Sequence, residues 1–157
     1  MNRVSQAVSN HQLMVLLFQT RDLMLNLKRK ELRKFGLTFE ESTILIHIDK
    51  LGKKATPVEL SRQLLRKHHS ITGLLLRMEK KGLIIRNKDL KRKNMIRVSM
   101  TDKGKAMFHN AKDEDILERM AALLSDEQKK DMAAGLNVLR DEAFKILKIE
   151  KKPDILR

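Results

Sequence analysis

Residues 56–86 read TPVELSRQLLRKHHSITGLLLRMEKKGLIIR, and the punctuation of this stretch decides the fold. Thr56 as N-cap, Pro57 at the first helical position and Glu59 two residues later open a helix, expected over 57–65 with Leu60, Leu64 and Leu65 turned inward. A tight turn at Arg66-Lys67 leads into a second helix. It is expected over 68–81, with Ile71, Leu74, Leu75 and Met78 on one face. Gly82 stops it. The period then changes. Leu83-Ile84-Ile85-Arg86 is a short apolar run, and Ile96, Val98 and Met100 alternate with polar neighbours further on. Two such runs make a hairpin, whose loop 87–94 is polar and dense in Lys and Arg.

Working outward, Thr38-Phe39-Glu40-Glu41 has capping-box spacing and predicts a helix to about Lys50, with Ile44, Leu45 and Ile48 inward. Upstream, residues 4–34 contain neither Gly nor Pro and carry apolar residues at near-helical spacing until Phe35-Gly36. This predicts one helix of roughly 45 Å at 1.5 Å per residue. A helix of that length outreaches a small core and points to packing against another chain. Downstream, Thr101 should cap a helix to about Leu124, and Ser125-Asp126-Glu127-Gln128 opens a last one to about Leu147. The tail 148–157, with Pro153, is expected to fray.

The length of 157 residues suits one domain, and 41% hydrophobic residues suffice for a core. With no Trp or Tyr, that core must be aliphatic, with Met and Phe. There are no cysteines, which excludes disulfides, thiolate metal sites and cysteine nucleophiles. The apolar run from Leu13 to Phe18 is far short of the roughly 20 residues a bilayer span needs, and no signal-peptide pattern follows the N-terminus. A soluble, cytoplasmic protein without membrane contact is expected.

Charge is the strongest compositional feature. The chain carries a formal +14, and the segment 62–105 holds fourteen Lys and Arg against the acids Glu79, Asp89 and Asp102, so +11 of the total lies there. Such segregation indicates a surface for a polyanion, nucleic acid foremost. The five histidines lack metal-ligand spacing, and Glu40-Glu41 and Asp113-Glu114-Asp115 read as capping and solvated acids. Phosphate-loop, nucleophile-elbow and zincin motifs are missing from the sequence, so no enzyme, cofactor or metal is expected.

Helix, short helix, turn, helix and basic hairpin is the order of a winged helix-turn-helix, whose second helix enters the major groove by its N-terminal end. Here that end is Lys67-His68-His69-Ser70-Ile71-Thr72-Gly73. It offers side-chain donors, unpaired backbone N–H groups and the positive end of the helix dipole. Lys88, Lys91, Arg92 and Lys93 place a basic tip beside it. Residues 57–104 resemble the winged-helix region of the MarR family of bacterial transcriptional regulators. The matching residues are Glu59-Leu60-Ser61, Ser70-Ile71-Thr72, and the run from Arg77 to Arg86. Met100-Thr101-Asp102-Lys103-Gly104 is similar to the family's Leu-Thr-x-x-Gly.

This resemblance implies a mainly α chain, a single MarR-like domain over 1–157. The winged helix occupies about 37–101, flanked by dimerisation helices at about 4–34 and 102–147. It also implies a homodimer reading a palindromic operator in double-stranded DNA, usually as a repressor. By position, Ser70 and Thr72 would face the major groove, with Lys67, His68 and His69 beside them. Arg77 would meet the backbone, and Arg86, Lys91, Arg92 and Lys93 the groove edge. The family wing commonly has an Asp followed closely by an Arg, where this chain holds Arg92 and Asn94, so Arg92 or Lys93 would substitute. Gly73 stands where many members have Arg. Family members often bind small phenolic anions between the dimer helices and the winged region, so a small-molecule effector is admitted. A nonspecific architectural DNA-binding protein and a helical adaptor without DNA share the same charge and helices.

Overall fold

The computed structural model describes residues 8–89, 95–113 and 115–153. Its elements run α1 (Asn10–Lys34), α2 (Phe39–Leu51), a 3-10 turn (Gly52–Lys54), α3 (Pro57–Gln63), α4 (His68–Lys80), β1 (Ile84–Asp89), β2 (Met95–Met100), α5 (Asp102–Asp113), α6 (Ile116–Ala121) and α7 (Asp126–Ile146). This is the expected winged helix-turn-helix between longer helices.

The starts of the helices follow from local hydrogen bonding. Thr38 and Glu41 form a reciprocal capping box, as do Ser125 and Gln128. Thr56 accepts the Glu59 N–H at 3.1 Å. The α1 start corrects the expectation of a helix from residue 4. Ser9 Oγ accepts the Gln12 N–H at 3.2 Å while Gln12 Oε1 accepts the Ser9 N–H at 2.9 Å, so the helix opens at Asn10. The Ser-x-x-Gln spacing carried that signal.

One core joins the elements. Leu32 of α1, Ile44, Leu45 and Ile48 of α2, Leu60 of α3, Ile71, Leu75 and Met78 of α4, Leu83, Ile84 and Val98 of the hairpin, and Phe108 of α5 are all buried. Each such side chain contributes roughly 1.5–3 kcal/mol relative to leaving it in water. Leu74 packs partly against this cluster, and so does Leu64. Leu65 does not. It is 52% exposed with φ +52°, because α3 ends at Gln63 and Leu65 takes the left-handed position that turns the chain toward α4.

The hairpin is antiparallel and longer than expected. Its register runs from Ile84 opposite Met100 to Asp89 opposite Met95, so Asn87, Lys88 and Asp89 belong to β1 rather than to the loop.

The single helix expected over 101–124 is two. Asp115 interrupts it and caps α6, accepting the Leu117 N–H at 2.9 Å. The break is held from α1. Lys28 Nζ lies 2.7 Å from Glu31 and 2.9 Å from Asp115, and Glu31 accepts the Ile116 N–H at 2.7 Å. Burial works against the Lys28 charge, but the hydrogen bonds and charges of Glu31 and Asp115 outweigh it and hold its pKa above the ordinary lysine value. The cluster therefore stabilises the fold at neutral pH and loses that contribution only as alkaline pH rises through the folded value.

His47 is buried in α2, its Nδ1 2.8 Å from the Thr43 carbonyl, which makes Nδ1 the donor. Desolvation, aided by the Lys50 charge, pushes its pKa below 6.5 despite the Thr43 bond. The unfolded chain thus takes up a proton before the folded one does. Stability should fall as pH drops below about 6.5 through the lower folded value, and His47→Gln should flatten that slope. Urea titrations of both proteins at pH 7.5 and 5.5 would read this difference.

Candidate nucleic-acid interface

The turn between α3 and α4 is set by Ser61. Its carbonyl accepts the Arg66 N–H at 3.0 Å and its hydroxyl donates to the Arg66 carbonyl at 2.7 Å. This pair closes the chain over Leu65 and fixes where α4 begins. Lys67 is the N-cap residue of α4 but makes no side-chain capping bond, and the first turn contains no acid. The first-turn N–H groups and the positive dipole end are thus left for an anion. His68, His69 and Ser70 are exposed at this end, Thr72 and Gly73 are half-buried, and Arg77 is exposed two turns on. Thr72 donates its hydroxyl back to the His68 carbonyl at 3.0 Å, leaving an oxygen lone pair outward.

The structure places the hairpin beside this end. A concavity of about 490 Å³ lies between them, lined by Val58 of α3, His68, Thr72, Arg86, Met95 and Ile96 among others. Arg86 is already engaged. Its guanidinium lies 2.7–2.8 Å from Glu79 Oε2, and its backbone N–H reaches Glu79 Oε1 at 3.1 Å. The Arg86 hydrogen bond, opposed by slight desolvation, holds the Glu79 carboxyl below the usual carboxylate range. Arg86 therefore ties the hairpin to the end of α4. Glu79 was not singled out from sequence. Its only advance signal was that a lone acid stands among the cations of 62–88.

Several other cations of the basic segment are likewise spent within the chain. Lys81 Nζ donates to the Gly36 carbonyl at 2.7 Å and Glu41 at 2.8 Å. Arg97 bonds the Lys53 carbonyl, Arg62 pairs with Glu59, and Lys103 donates to the Lys81 carbonyl at 2.8 Å. Arg66, Lys67, Arg77, Lys80 and Lys88 remain exposed. Lys91, Arg92 and Lys93 lie outside the described residues. Among the described residues no group of three or more His, Asp and Glu could hold a metal ion, and no helix is long and apolar enough to cross a membrane.

The arrangement is an exposed, uncapped helix end held at a fixed angle to a basic hairpin. Residues 35–97 match the model of the MarR family. The winged helix is of the MarR type. The chain is similar along most of its length to the solved organohalide-sensing regulator RdhR-CbdbA1625 in its 2,4-dichlorophenol-bound form. Identity is 27% over 97% of this chain and 95% of that one, with a TM-score of 0.78. It shares its fold with MepR of S. aureus, solved with DNA (19% identity, 88% and 99% of the two chains, TM-score 0.73). The MarR-family regulator AbsC from Streptomyces coelicolor has the same fold (14% identity, 88% and 98%, TM-score 0.77). No curated protein sequence matches the chain.

Proposed function

We propose that the chain is a homodimeric, sequence-specific DNA-binding transcriptional regulator that represses a palindromic operator and is relieved by a small organic effector. The observation that carries this is the exposed, uncapped start of α4 beside the hairpin. Lys67, His68, His69, Ser70 and Thr72 enter the major groove. Arg77 and Lys88 meet phosphates, and Lys91, Arg92 and Lys93 supply the wing contact. Arg86 is reassigned from a DNA anchor to a residue that sets the angle of the hairpin.

Dimerisation is supported by how little the two longest helices bury. Within this chain α1 buries only Lys28, Glu31 and Leu32, and α7 only Phe144. Leu13, Leu16, Phe18 and Leu23 of α1 and Met132, Val138 and Leu139 of α7 are exposed. An apolar area of this extent is ordinarily covered by a partner. The likeness to a regulator solved with 2,4-dichlorophenol supports a small organic effector.

Fluorescence anisotropy with the DNA flanking the protein's own gene, against a shuffled duplex, tests the reading. Preferential binding that survives competitor, by a species of two chains, supports it. Equal binding to both duplexes, falling steeply with salt, would establish an architectural protein instead. Glu79→Gln should weaken binding to the preferred duplex roughly threefold to tenfold by loosening the hairpin. The melting temperature should change little, and anisotropy and melting curves on the same preparation separate the two effects.

A further inference from the structure

A cavity of about 440 Å³ lies far from the α4 start, between the end of α3, the last turns of α7 and the segment that follows them. Its construction corrects the expectation of a frayed tail, because residues 148–153 are docked. Lys148 takes φ +53°, and the Ile149 N–H returns to the Phe144 carbonyl at 3.0 Å, reversing the chain at the end of α7. Lys152 then comes back over the Phe144 ring at 5.4 Å and pairs with Asp141 at 3.1 Å. Its carbonyl accepts from Arg62 Nη1 of α3 at 2.8 Å, so the tail straps α7 to the helix-turn-helix.

The walls of the cavity are apolar, from Leu65, Phe144, Leu147, Ile149 and Pro153. Arg140, Lys152 and Asp141 stand together on the remaining side, leaving one positive charge in excess. Arg140 Nη2 is 3.6 Å from Asp141, beyond hydrogen-bond length, and Arg140 Nε is buried with no acceptor among the described residues. The Lys152 hydrogen bond, against slight desolvation, holds the Asp141 carboxyl below its usual range, so Asp141 stays ionised and occupied with Lys152. Arg140 is the cation left short of an acceptor.

We propose that this cavity binds a small monocarboxylate with an aromatic body, the carboxylate at Arg140 and the ring against Phe144, Leu147 and Ile149. The volume suits one ring and its substituents, and the single excess charge suits a monoanion. Leu65, on the wall, forms the turn into α4, so occupancy changes the seating of α4 relative to α7. That regulatory half rests on the DNA-binding reading above.

Calorimetry of the full chain with benzoate, and with benzamide as its neutral counterpart, tests the site without DNA. Benzoate should bind with a dissociation constant on the order of 1 mM. It should bind at least about tenfold more weakly to Arg140→Met, as should benzamide to the parent protein. Lys112→Met, in the separate cavity between α1, α2 and α5, should leave benzoate binding unchanged. Absence of benzoate binding, equal binding of benzamide, or loss in Lys112→Met with retention in Arg140→Met would each overturn the site. Anisotropy with the preferred duplex then reads the coupling: saturating benzoate should weaken DNA binding roughly fivefold or more in the parent and not in Arg140→Met. Benzoate binding with unchanged DNA affinity would overturn the regulatory half. Failure of DNA binding without benzoate would sink the DNA-binding reading while leaving the cavity result standing.

Discussion

Gly104→Ala should destabilise the protein by about 3 kcal/mol, the upper range for forcing atoms into a packed site. A Cβ on Gly104 would overlap the Leu83 carbonyl oxygen and stand 3.0 Å from its carbon. Neither atom can move freely. The Leu83 carbonyl accepts the Thr101 N–H at 3.1 Å, and the Thr101 hydroxyl donates to the Gly82 carbonyl at 2.6 Å while accepting the Gly104 N–H at 2.9 Å. One threonine thus knots the end of α4, the return of β2 and the start of α5. This gives a physical reason for Thr101 and Gly104 in the Thr-x-x-Gly pattern. The melting temperature should drop by roughly 6–12 °C for a chain of this size. Gly135→Ala is the control of opposite sign. Its Cβ meets nothing within 4 Å, and replacing a mid-helix glycine should stabilise α7 by up to about 1 kcal/mol. If Gly104→Ala melted with the parent protein, the close approach of α5 to Leu83 would be wrong.

Replacing Lys91, Arg92 and Lys93 together by Glu should lower affinity for the preferred duplex by about a hundredfold or more at physiological salt. Two to three phosphate contacts are lost and repulsion replaces them. The salt dependence is the sharper readout, because each lost contact should reduce the slope of log K against log salt by about 0.9. Melting and dimer mass should be unchanged, since the register of the hairpin closes with Asp89 opposite Met95, before these residues. Unchanged affinity and slope would remove the wing from the interface and leave the α4 end to carry binding alone.

Different parts of the chain were legible to different degrees for identifiable reasons. The caps at Thr38, Thr56 and Ser125 could be read because their hydrogen bonds span three residues and involve nothing else. Leu65 was misplaced because its spacing fits the inward face of a helix, whereas α3 had already ended and the turn required a left-handed residue. The break at Asp115 was hidden because it is stabilised by Lys28 and Glu31, more than eighty residues away. The charge count located the basic region but counted Arg86, Lys81 and Arg97 as available, although carboxylates and carbonyls elsewhere in the fold occupy them.

By itself, then, the sequence determined the order of helices and strands, the buried stripe of each, and the coincidence of positive charge with the helix-turn-helix. These depend on period, capping and composition, all properties of neighbouring residues. Only the tertiary structure decided which cations face outward, how Glu79 fixes the hairpin, why Gly104 admits no side chain, and that the tail straps α7 to α3. Each of these is a contact between segments that only folding brings together, and pairing at hydrogen-bond distance is not encoded in local spacing.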